Sequence, residues 1–329
     1  MKSTVASPAA TSQALDRPVR FYPAEEVHAA LSLPALADSI AEALRGRTVA
    51  PLRHAHALSD TDSLLLMPAW SANGGAIGVK LVTVLPGNRE RGSSTVNALY
   101  VLFDRNSGEL RAVIDGEALT LRRTAAASLL AARYLARNDA RQVLIVGTGR
   151  LARFMAHAHC ASRDIERLFI WGRSADNAQS LASVLQREGL AGEAVDDLER
   201  AVHESHIVTC ATTATSPIVR GAWLAPGTHL DLVGAFKPNM REVDDDAVAR
   251  SIVYVDTFAG ALAEAADIIE PIARGVITRA DIRGELVELV TGIAPGRSHT
   301  DEITLFKSVG TAIEDLAAAQ MLVRVTDSS

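Results

Sequence analysis

One short glycine-containing stretch constrains the fold of this chain more than any other part of the sequence. Four apolar residues, 143–146, are followed at once by Gly147-x-Gly149-x-x-Ala152 and then by a run typical of a helix. This pattern is that of the strand, tight turn and helix N-terminus of a dinucleotide-binding unit. Gly147 permits the sharp turn, the missing side chain at Gly149 lets a pyrophosphate approach the backbone, and Ala152 allows close packing. A second apolar segment, 168–171, follows at the expected distance, which favours this interpretation over an ordinary βα turn.

The composition limits the class of protein. The chain has 329 residues, 48% of them hydrophobic, which is enough for two domains with a substantial core. No apolar run approaches the length of a membrane span, and the net charge of −6 without a long block of one sign makes nucleic acid an unexpected partner. Cys160 and Cys210 have no disulfide-like or metal-like spacing and fit a reducing cytoplasm. Residues 1–17 lack the apolar region of a signal peptide and are expected to be a disordered terminus.

The order of the predicted elements indicates two architectures. Helices and antiparallel strands are predicted first, ending in a hairpin over residues 98–114. From residue 142 onward, strands alternate with helices, which indicates an α/β fold with a Rossmann-type, doubly wound parallel sheet beside a smaller α+β domain. The tail from Thr304 to Leu322 is predicted to be helical and to return to the first domain. The predicted domains are residues 18–125 with 305–329, and residues 126–304.

Several motifs together resemble those of a known family. They are Gly78-Val79-Lys80, Leu119-Thr120-x-x-Arg123-Thr124-Ala125-Ala126, Gly147-x-Gly149, Arg241-Glu242-Val243-Asp244 and Glu302-Ile303-Thr304-Leu305-Phe306-Lys307-Ser308-Val309-Gly310. They make the chain similar, from about Phe21 to Met321, to the ornithine cyclodeaminase/μ-crystallin family of NAD(P)-dependent enzymes. That family includes cyclodeaminases, alanine dehydrogenases and ketimine reductases, so the resemblance leaves the reaction open.

The resemblance implies a homodimer formed through the first domain, which would also bind a small-molecule substrate against the cofactor. It assigns substrate binding to Arg53, Lys80 and Arg123. The chemistry agrees, because an arginine fork holds a carboxylate through two parallel charge-assisted hydrogen bonds. Lys80 is the predicted catalytic residue, since its compact cation can point at a reacting nitrogen or carboxylate. The alternative for each residue is a solvated charge at a strand edge, and the motifs outweigh it for Lys80 and Arg123.

The implied cofactor site extends over several loops. The expected contacts are Thr95, Gly147, Gly149, Arg150, Leu151, Arg173, Ser174, Thr213, Val233 and Ser308. In NAD-preferring sites an acidic residue ends the second strand, whereas this chain has Arg173 and Ser174 there and no carboxylate until Asp176. Arg173 and Ser174 can receive a 2′-phosphate, so we expect NADPH, with NADH tolerated. The alternative is that Arg173 is a loop residue stacking on adenine.

Phe236 distinguishes between the reactions of the family. True ornithine cyclodeaminases carry an aspartate where this chain has Phe236, and an apolar ring cannot accept a proton during cyclisation and ammonia loss. We therefore expect reduction of a cyclic ketimine carboxylate, Δ1-pyrroline-2-carboxylate to L-proline or Δ1-piperideine-2-carboxylate to L-pipecolate, with Phe236 against the ring. The alternatives are ornithine cyclodeamination, an alanine-type amino-acid dehydrogenase, and a μ-crystallin-like binding protein without turnover. The presence of Lys80 and Arg123 argues against the last.

Two histidine pairs have the spacing of metal ligands. No nearby cysteine or carboxylate completes His54-x-His56 or His157-x-His159, so no metal is predicted. The second pair is expected to be surface or packing residues of a helix. Asp244-Asp245-Asp246 is expected to begin another helix, because carboxylates are favourable at a helix N-terminus.

Overall fold

The computed structural model describes residues 19–327, which form two β-sheets and the helices around them. The first sheet consists of β1 (Arg20–Tyr22), β2 (Thr48–Val49), β3 (His54–Ala57), β4 (Ser63–Ser71), β5 (Ala76–Val84), β6 (Val96–Asp104) and β7 (Leu110–Asp115). The second consists of β8 (Gln142–Val146), β9 (Arg167–Trp171), β10 (Gly192–Ala194), β11 (Ile207–Cys210), β12 (His229–Leu232), β13 (Ile252–Val255), β14 (Ile282–Glu285) and β15 (Thr304–Lys307). The α-helices are α1 (Ala24–Ala30), α2 (Leu33–Arg45), α3 (Gly116–Leu135), α4 (Arg150–Ser162), α5 (Ala175–Arg187), α6 (Leu198–Glu204), α7 (Asp245–Ala249), α8 (Phe258–Glu264), α9 (Ala266–Ala273), α10 (Leu286–Thr291) and α11 (Ala312–Asp327). The predicted disordered terminus, residues 1–17, lies outside the described residues.

The first sheet is mostly antiparallel, and helices cover one of its faces. Its order is β1-β7-β6-β5-β4-β2, and β3 also pairs with β4. Side chains alternate along β5, so that Gly78 and Lys80 lie on the buried face and Val79 and Leu81 on the half-exposed one. Helices α2, α3 and α11 pack together over the buried face. The alternation therefore turns Lys80 inward, toward α11.

The second sheet is parallel throughout, and its order is β10-β9-β8-β11-β12-β15-β13-β14. Strands β8, β9, β11 and β13 are short and mostly apolar, as is typical of parallel strands buried on both faces. Residues 143–146 of β8, for example, are fully buried. The predicted α/β fold, with a Rossmann-type doubly wound sheet and a smaller α+β unit, is confirmed.

The prediction of a helical tail from Thr304 is wrong for its first eight residues, because α11 begins only at Ala312. Thr304–Lys307 form β15, which pairs with β12 on one side and β13 on the other. The sequence Thr-Leu-Phe-Lys is too short for its periodicity to distinguish a buried strand from a helix. The parallel sheet therefore retains the chain through Lys307, beyond the predicted boundary at 304/305. Only α11 returns to pack against α2, α3, β4 and β5.

Helix α3 connects the two sheets physically. It is 20 residues long and begins after Asp115, whose side chain accepts a hydrogen bond from the amide of Ala118 at 2.8 Å. Arg123, near its middle, bonds to residues of α11, whereas Ser128 donates to Asp231 of β12 at 2.9 Å. The predicted domain boundary at 125/126 thus falls within one continuous helix.

Candidate active site

The turn after β8 has the geometry that a dinucleotide requires. Gly147 has φ +122°, a conformation that side chains rarely adopt, and a Cβ there would lie 2.6 Å from the carbonyl oxygen of Ala211. At Gly149, by contrast, a Cβ would point into open space, directly before the N-terminus of α4. The first-turn amides of this 13-residue helix face that space with the positive end of the helix dipole. The arrangement fits a bound pyrophosphate.

Other predicted cofactor residues lie around the same edge of the sheet. Thr213 follows β11, Val233 follows β12 and Ser308 follows β15, three adjacent strands whose carboxyl ends meet there. The hydroxyl of Ser308 donates to Asp256 Oδ2 at 3.1 Å. Three further predicted residues have different surroundings. Arg150 pairs with Glu117, Leu151 packs against the core, and Thr95 precedes β6 in the other sheet.

Arg173 and Ser174 follow the end of β9. Ser174 caps α5, because its hydroxyl oxygen accepts a hydrogen bond from the amide of Asn177 at 3.3 Å. The side chain of Arg173 is exposed and makes no hydrogen bond or ion pair with any residue in 19–327. Arg173 is therefore free to meet an anion beside the adenosine end of the site.

A buried cluster of charges lies between the first sheet, α3 and α11. Lys80 of β5 places Nζ 2.9 Å from Oδ1 and 2.8 Å from Oδ2 of Asp315, and 3.3 Å from the hydroxyl of Thr120. Arg123 donates from Nε to Asp315 Oδ1 at 3.0 Å and from Nη1 to Glu314 Oε2 at 2.7 Å. Lys80 is 2% exposed and both carboxylates 0%. Two predicted substrate residues thus converge on two acidic residues that we had not predicted.

The low-polarity surroundings change the protonation of this cluster. Burial lowers the pKa of Lys80 to about 8, although Asp315 opposes the change. Burial raises the pKa of Glu314 to about 7, with Arg123 acting in the opposite direction. Burial also acts to raise the pKa of Asp315, but Lys80 and Arg123 together hold it below its ordinary value. Near neutral pH the cluster contains a lysine that can both hold and release a proton.

The third predicted substrate residue, Arg53, contacts the 309–310 segment. Its Nη2 donates to the carbonyl oxygens of Val309 and Gly310 at 2.7 and 3.1 Å, and its Nε lies 3.0 Å from Glu264 Oε1. Gly310 also lies against the guanidinium of Arg123: a side chain at position 310 would place its Cβ only 2.8 Å from Nη2 of Arg123. Both arginines therefore lie against this segment.

A cavity of about 80 Å³ opens beside Arg53. It is lined by Ala50, Pro51, Leu52, Arg53, Met67, Thr257, Ala259, Gly260, Glu264, Gly310, Thr311 and Ala312. Its size suits a small metabolite better than a drug-sized ligand, for which pockets are several times larger. Burial raises the pKa of Glu264, opposed by Arg53, and its Oε2 has no hydrogen-bond partner within the described residues. Glu264 is thus a further acidic residue at the cavity that the sequence analysis missed.

The ornithine cyclodeaminase/mu-crystallin family model matches residues 20–328, nearly the whole chain. The chain belongs to this family.

The chain is similar over most of its length to a curated relative and to two solved structures. The Δ1-pyrroline-2-carboxylate reductase of Paracoccus denitrificans is 41% identical over 290 residues, covering 86% of this chain and 91% of that protein. The structure of the Thermococcus litoralis Δ1-pyrroline-2-carboxylate reductase in complex with NADH and L-proline has a TM-score of 0.89 at 34% identity, covering 94% of this chain and 97% of the other. An archaeal alanine dehydrogenase dimer with bound NAD has a TM-score of 0.87 at 28% identity, covering 94% and 96%.

Phe236, the residue taken to separate the family's reactions, lies in the loop after β12. It is half-buried, packs against the apolar cluster of the parallel sheet, and its ring centroid lies 5.8 Å from Nζ of Lys237. It is not among the residues that line the cavity beside Arg53. Contact between Phe236 and a bound ring therefore stays a prediction.

The two histidine pairs have different surroundings in this family member. His54 and His56 are exposed on β3, His157 lies 2.7 Å from Glu188, and His159 is buried with Nε2 2.8 Å from the hydroxyl of Thr209. Within residues 19–327, no group of three or more potential ligands is arranged to hold a metal ion. In the same part of the chain, no helix combines the length and hydropathy of a membrane span.

Proposed function

We propose that this chain reduces a cyclic ketimine carboxylate with a nicotinamide cofactor, converting Δ1-pyrroline-2-carboxylate to L-proline. Δ1-Piperideine-2-carboxylate, which would give L-pipecolate, belongs to the same substrate class. The observation that carries the proposal is the grouping of three basic residues. Arg53 and Arg123 both lie against Gly310, which lines one small cavity, and Lys80 shares the carboxylate of Asp315 with Arg123. The relatives named as Δ1-pyrroline-2-carboxylate reductases support this substrate.

The three basic residues divide two roles in the proposed reaction, carboxylate binding and proton donation. Arg53 and Arg123 bind the substrate carboxylate, since Nη2 of Arg123 makes no hydrogen bond within the described residues. The reduction adds a hydride to C2 of the ring and a proton to the ring nitrogen. NAD(P)H bound at α4 would supply the hydride, while the protein orients the ring. Lys80 donates the proton, because an ammonium with a pKa of about 8 can release it near neutral pH.

The proposed preference for NADPH rests on Arg173 and on the absence of a carboxylate directly after β9. A 2′-phosphate would gain a charge-assisted contact with this exposed guanidinium, and an acidic residue in its place would repel the phosphate. The solved relatives hold NADH or NAD, so NADH is retained as a second cofactor.

We place the reaction in the cytoplasm, where Cys160 and Cys210, both free thiols, would stay reduced.

We further propose that the chain forms a homodimer through the outer face of the first sheet. Apolar side chains of adjacent strands line up across this half-exposed face. They are Leu66, Val79, Leu81, Leu99, Val101 and Phe103. A contiguous apolar face of this kind is typical of a protein interface. Light scattering should give the mass of a dimer for the wild type and of a monomer for Leu81→Glu, and a monomeric wild type would contradict the proposal.

The reaction is tested by following NADPH and NADH oxidation with both cyclic imines. Lys80→Met serves as the control for proton donation and should lose most of the activity. Parallel assays use pyruvate with ammonia, for an alanine-type dehydrogenase, and ammonia release from ornithine with NAD⁺, for cyclodeamination. Turnover confined to the imines supports the proposal. Turnover confined to either parallel assay overturns it, as does tight cofactor binding without turnover of any substrate.

A further inference from the structure

Glu242, a member of the Arg241–Asp244 motif, is a buried carboxylate that the proposed reaction does not use. It is 0% exposed, and its two oxygens accept four hydrogen bonds within the described residues. Oε1 accepts from the amide and the hydroxyl of Thr212 at 2.8 and 2.9 Å. Oε2 accepts from the amides of Gly234 and Ala235 at 3.0 and 3.1 Å. One side chain thus joins two separate loops.

These two loops lie where the fold binds its cofactor. Thr212 follows β11 and Gly234 follows β12, adjacent parallel strands whose carboxyl ends face the ligand crevice of a doubly wound sheet. A Cβ on Gly234 would overlap the backbone of Thr212, so the loops are in direct contact. The predicted cofactor residues Thr213 and Val233 are the next residues along each loop. The carboxylate therefore sets the spacing of backbone that would face the nicotinamide half of the cofactor.

Glu242 is itself held from behind by a second pair of charges. Asp267 of α9 accepts hydrogen bonds from the amides of Glu242 and Val243 at 2.8 and 3.3 Å. Lys307 of β15 places Nζ 3.0 Å from Asp267 and 3.8 Å from Glu242. Glu242, Asp267 and Lys307 are all 0% exposed. Because the backbone of Glu242 is fixed in this way, its carboxylate acts as a rigid connection to the loops.

We propose that Glu242 is a positioning residue for the cofactor: its ionised carboxylate holds the 212–213 and 233–235 loops in the arrangement that binds NAD(P)H, and its protonation releases them. The inference rests on the proposed nicotinamide-dependent function. An ionised carboxylate can accept all four hydrogen bonds. A protonated carboxyl group carries an O–H, and this donor would face an N–H or O–H donor of one of the loops, so that one hydrogen bond to a loop is lost. The cofactor must then restore the loop arrangement when it binds, which weakens its binding.

The charges around Glu242 place this protonation in an accessible pH range. Burial raises the pKa of Glu242 to about 7; the charge of Lys307 acts to lower this pKa and the charge of Asp267 acts to raise it. The thiol of Cys210 on β11 stays neutral, because burial raises its own pKa. Arg241, the preceding residue, pairs with Asp245 and Glu270 instead. If only the ionised form holds the loops, the Kd for NADH becomes about tenfold larger at pH 6 than at pH 8.

Two variants test the proposal by titration of NADH fluorescence with the full chain between pH 6 and pH 8.5. Glu242→Gln keeps the size of the side chain but its amide cannot accept from both loops, so the Kd at pH 8 should rise about tenfold and lose its pH dependence. Asp267→Asn removes a carboxylate from the same cluster without touching the loops. Since Asp267 raises the pKa of Glu242, this variant should keep the pH dependence and shift its midpoint to lower pH.

The outcomes separate positioning from stability. Thermal unfolding without cofactor reports whether each variant is folded. If Glu242→Gln does not fold, Thr212→Val replaces it as the test, because this substitution removes one hydrogen bond to Glu242 and no charge. Thr212→Val should weaken NADH binding severalfold. The proposal is overturned if the Kd for NADH is unchanged in Glu242→Gln, or in Thr212→Val where Glu242→Gln is unfolded. It is also overturned if the Kd of the wild type does not change across this pH range. Because binding is measured without substrate, failure of the imine assay would leave this result standing.

Discussion

The carboxylate of Asp315 lies 2.8 Å from Nζ of Lys80, although the two residues are 235 positions apart in the sequence. Arg123 donates to the same carboxylate from α3, so one buried anion lies between two buried cations from different elements. Without it, the two cations would repel each other in a medium that screens charges weakly. Helix α11 therefore contributes an anion that allows the two cations to remain together at the proposed site.

Replacing Asp315 by Asn should destabilise the protein by about 3–5 kcal/mol, because breaking a buried ion pair leaves uncompensated charge. The free energy of unfolding in urea measures the loss. Asp164→Asn is the matched control, since Asp164 pairs with Arg141 at the surface with its side chain 91% exposed, and its effect should be about 0.5 kcal/mol or less. Equal effects of the two substitutions would contradict the role given to Asp315.

The lowered pKa of Lys80 predicts an alkaline limit to activity. Below a pH of about 8 the side chain is an ammonium that can bind or protonate substrate, and above it the charge and the proton are lost. The value of kcat/KM for imine reduction should therefore fall as the pH rises through about 8. Lys80→Arg keeps a cation that does not titrate, so its lower activity should show no such limit. The same limit in both proteins would assign it to another group.

The sequence predicted the parts of the fold and site that local patterns specify, and it missed those that depend on packing. Gly147 and the alternation of strands and helices were sufficient for the parallel sheet. The motifs singled out Lys80 and Arg123, which the structure brings together at Asp315, and their role with substrate stays a prediction. Glu314 and Asp315 gave no comparable signal, because charges in an apolar helix ordinarily face solvent. Only the packing of α11 against α3 and β5 turns them inward. The strand β15 was missed for a related reason, since its partners are distant in sequence.

Arg123→Lys tests whether the guanidinium geometry matters as well as the charge. Lysine cannot bind Glu314, Asp315 and a substrate carboxylate together, so kcat/KM should fall roughly ten- to a hundredfold, about 1.4–2.7 kcal/mol. Arg122→Lys is the control at the neighbouring position, where the guanidinium donates to the carbonyl oxygen of His28 and lies over the ring of Phe154. Equal kinetics for the wild type and Arg123→Lys would remove Arg123 from the substrate site.

Arg173→Ala tests the choice of cofactor. Because Arg173 has no partner within residues 19–327, its loss should leave the fold intact and remove a contact to the 2′-phosphate alone. The Kd for NADPH should rise about tenfold, as expected for one charge-assisted hydrogen bond, while the Kd for NADH stays nearly constant. Arg187→Ala, at the far end of α5, should alter neither. Equal losses for both cofactors would indicate that Arg173 contacts the adenine or ribose instead.

The last prediction concerns Phe236 and the reaction itself. If its ring excludes water beside the imine, Phe236→Asp should impair imine reduction, since a half-buried carboxylate either raises its own pKa or pairs with a cation. Lys237, whose Nζ lies 5.8 Å from the ring centroid, is the nearby cation for such a pair. Phe236→Leu keeps an apolar side chain and should retain most of the activity. Steady-state rates for both variants, with ammonia release from ornithine measured in parallel, distinguish a loss of apolar shielding from a change of reaction. Wild-type protein that converts ornithine to proline and ammonia would show that Phe236 does not exclude cyclodeamination.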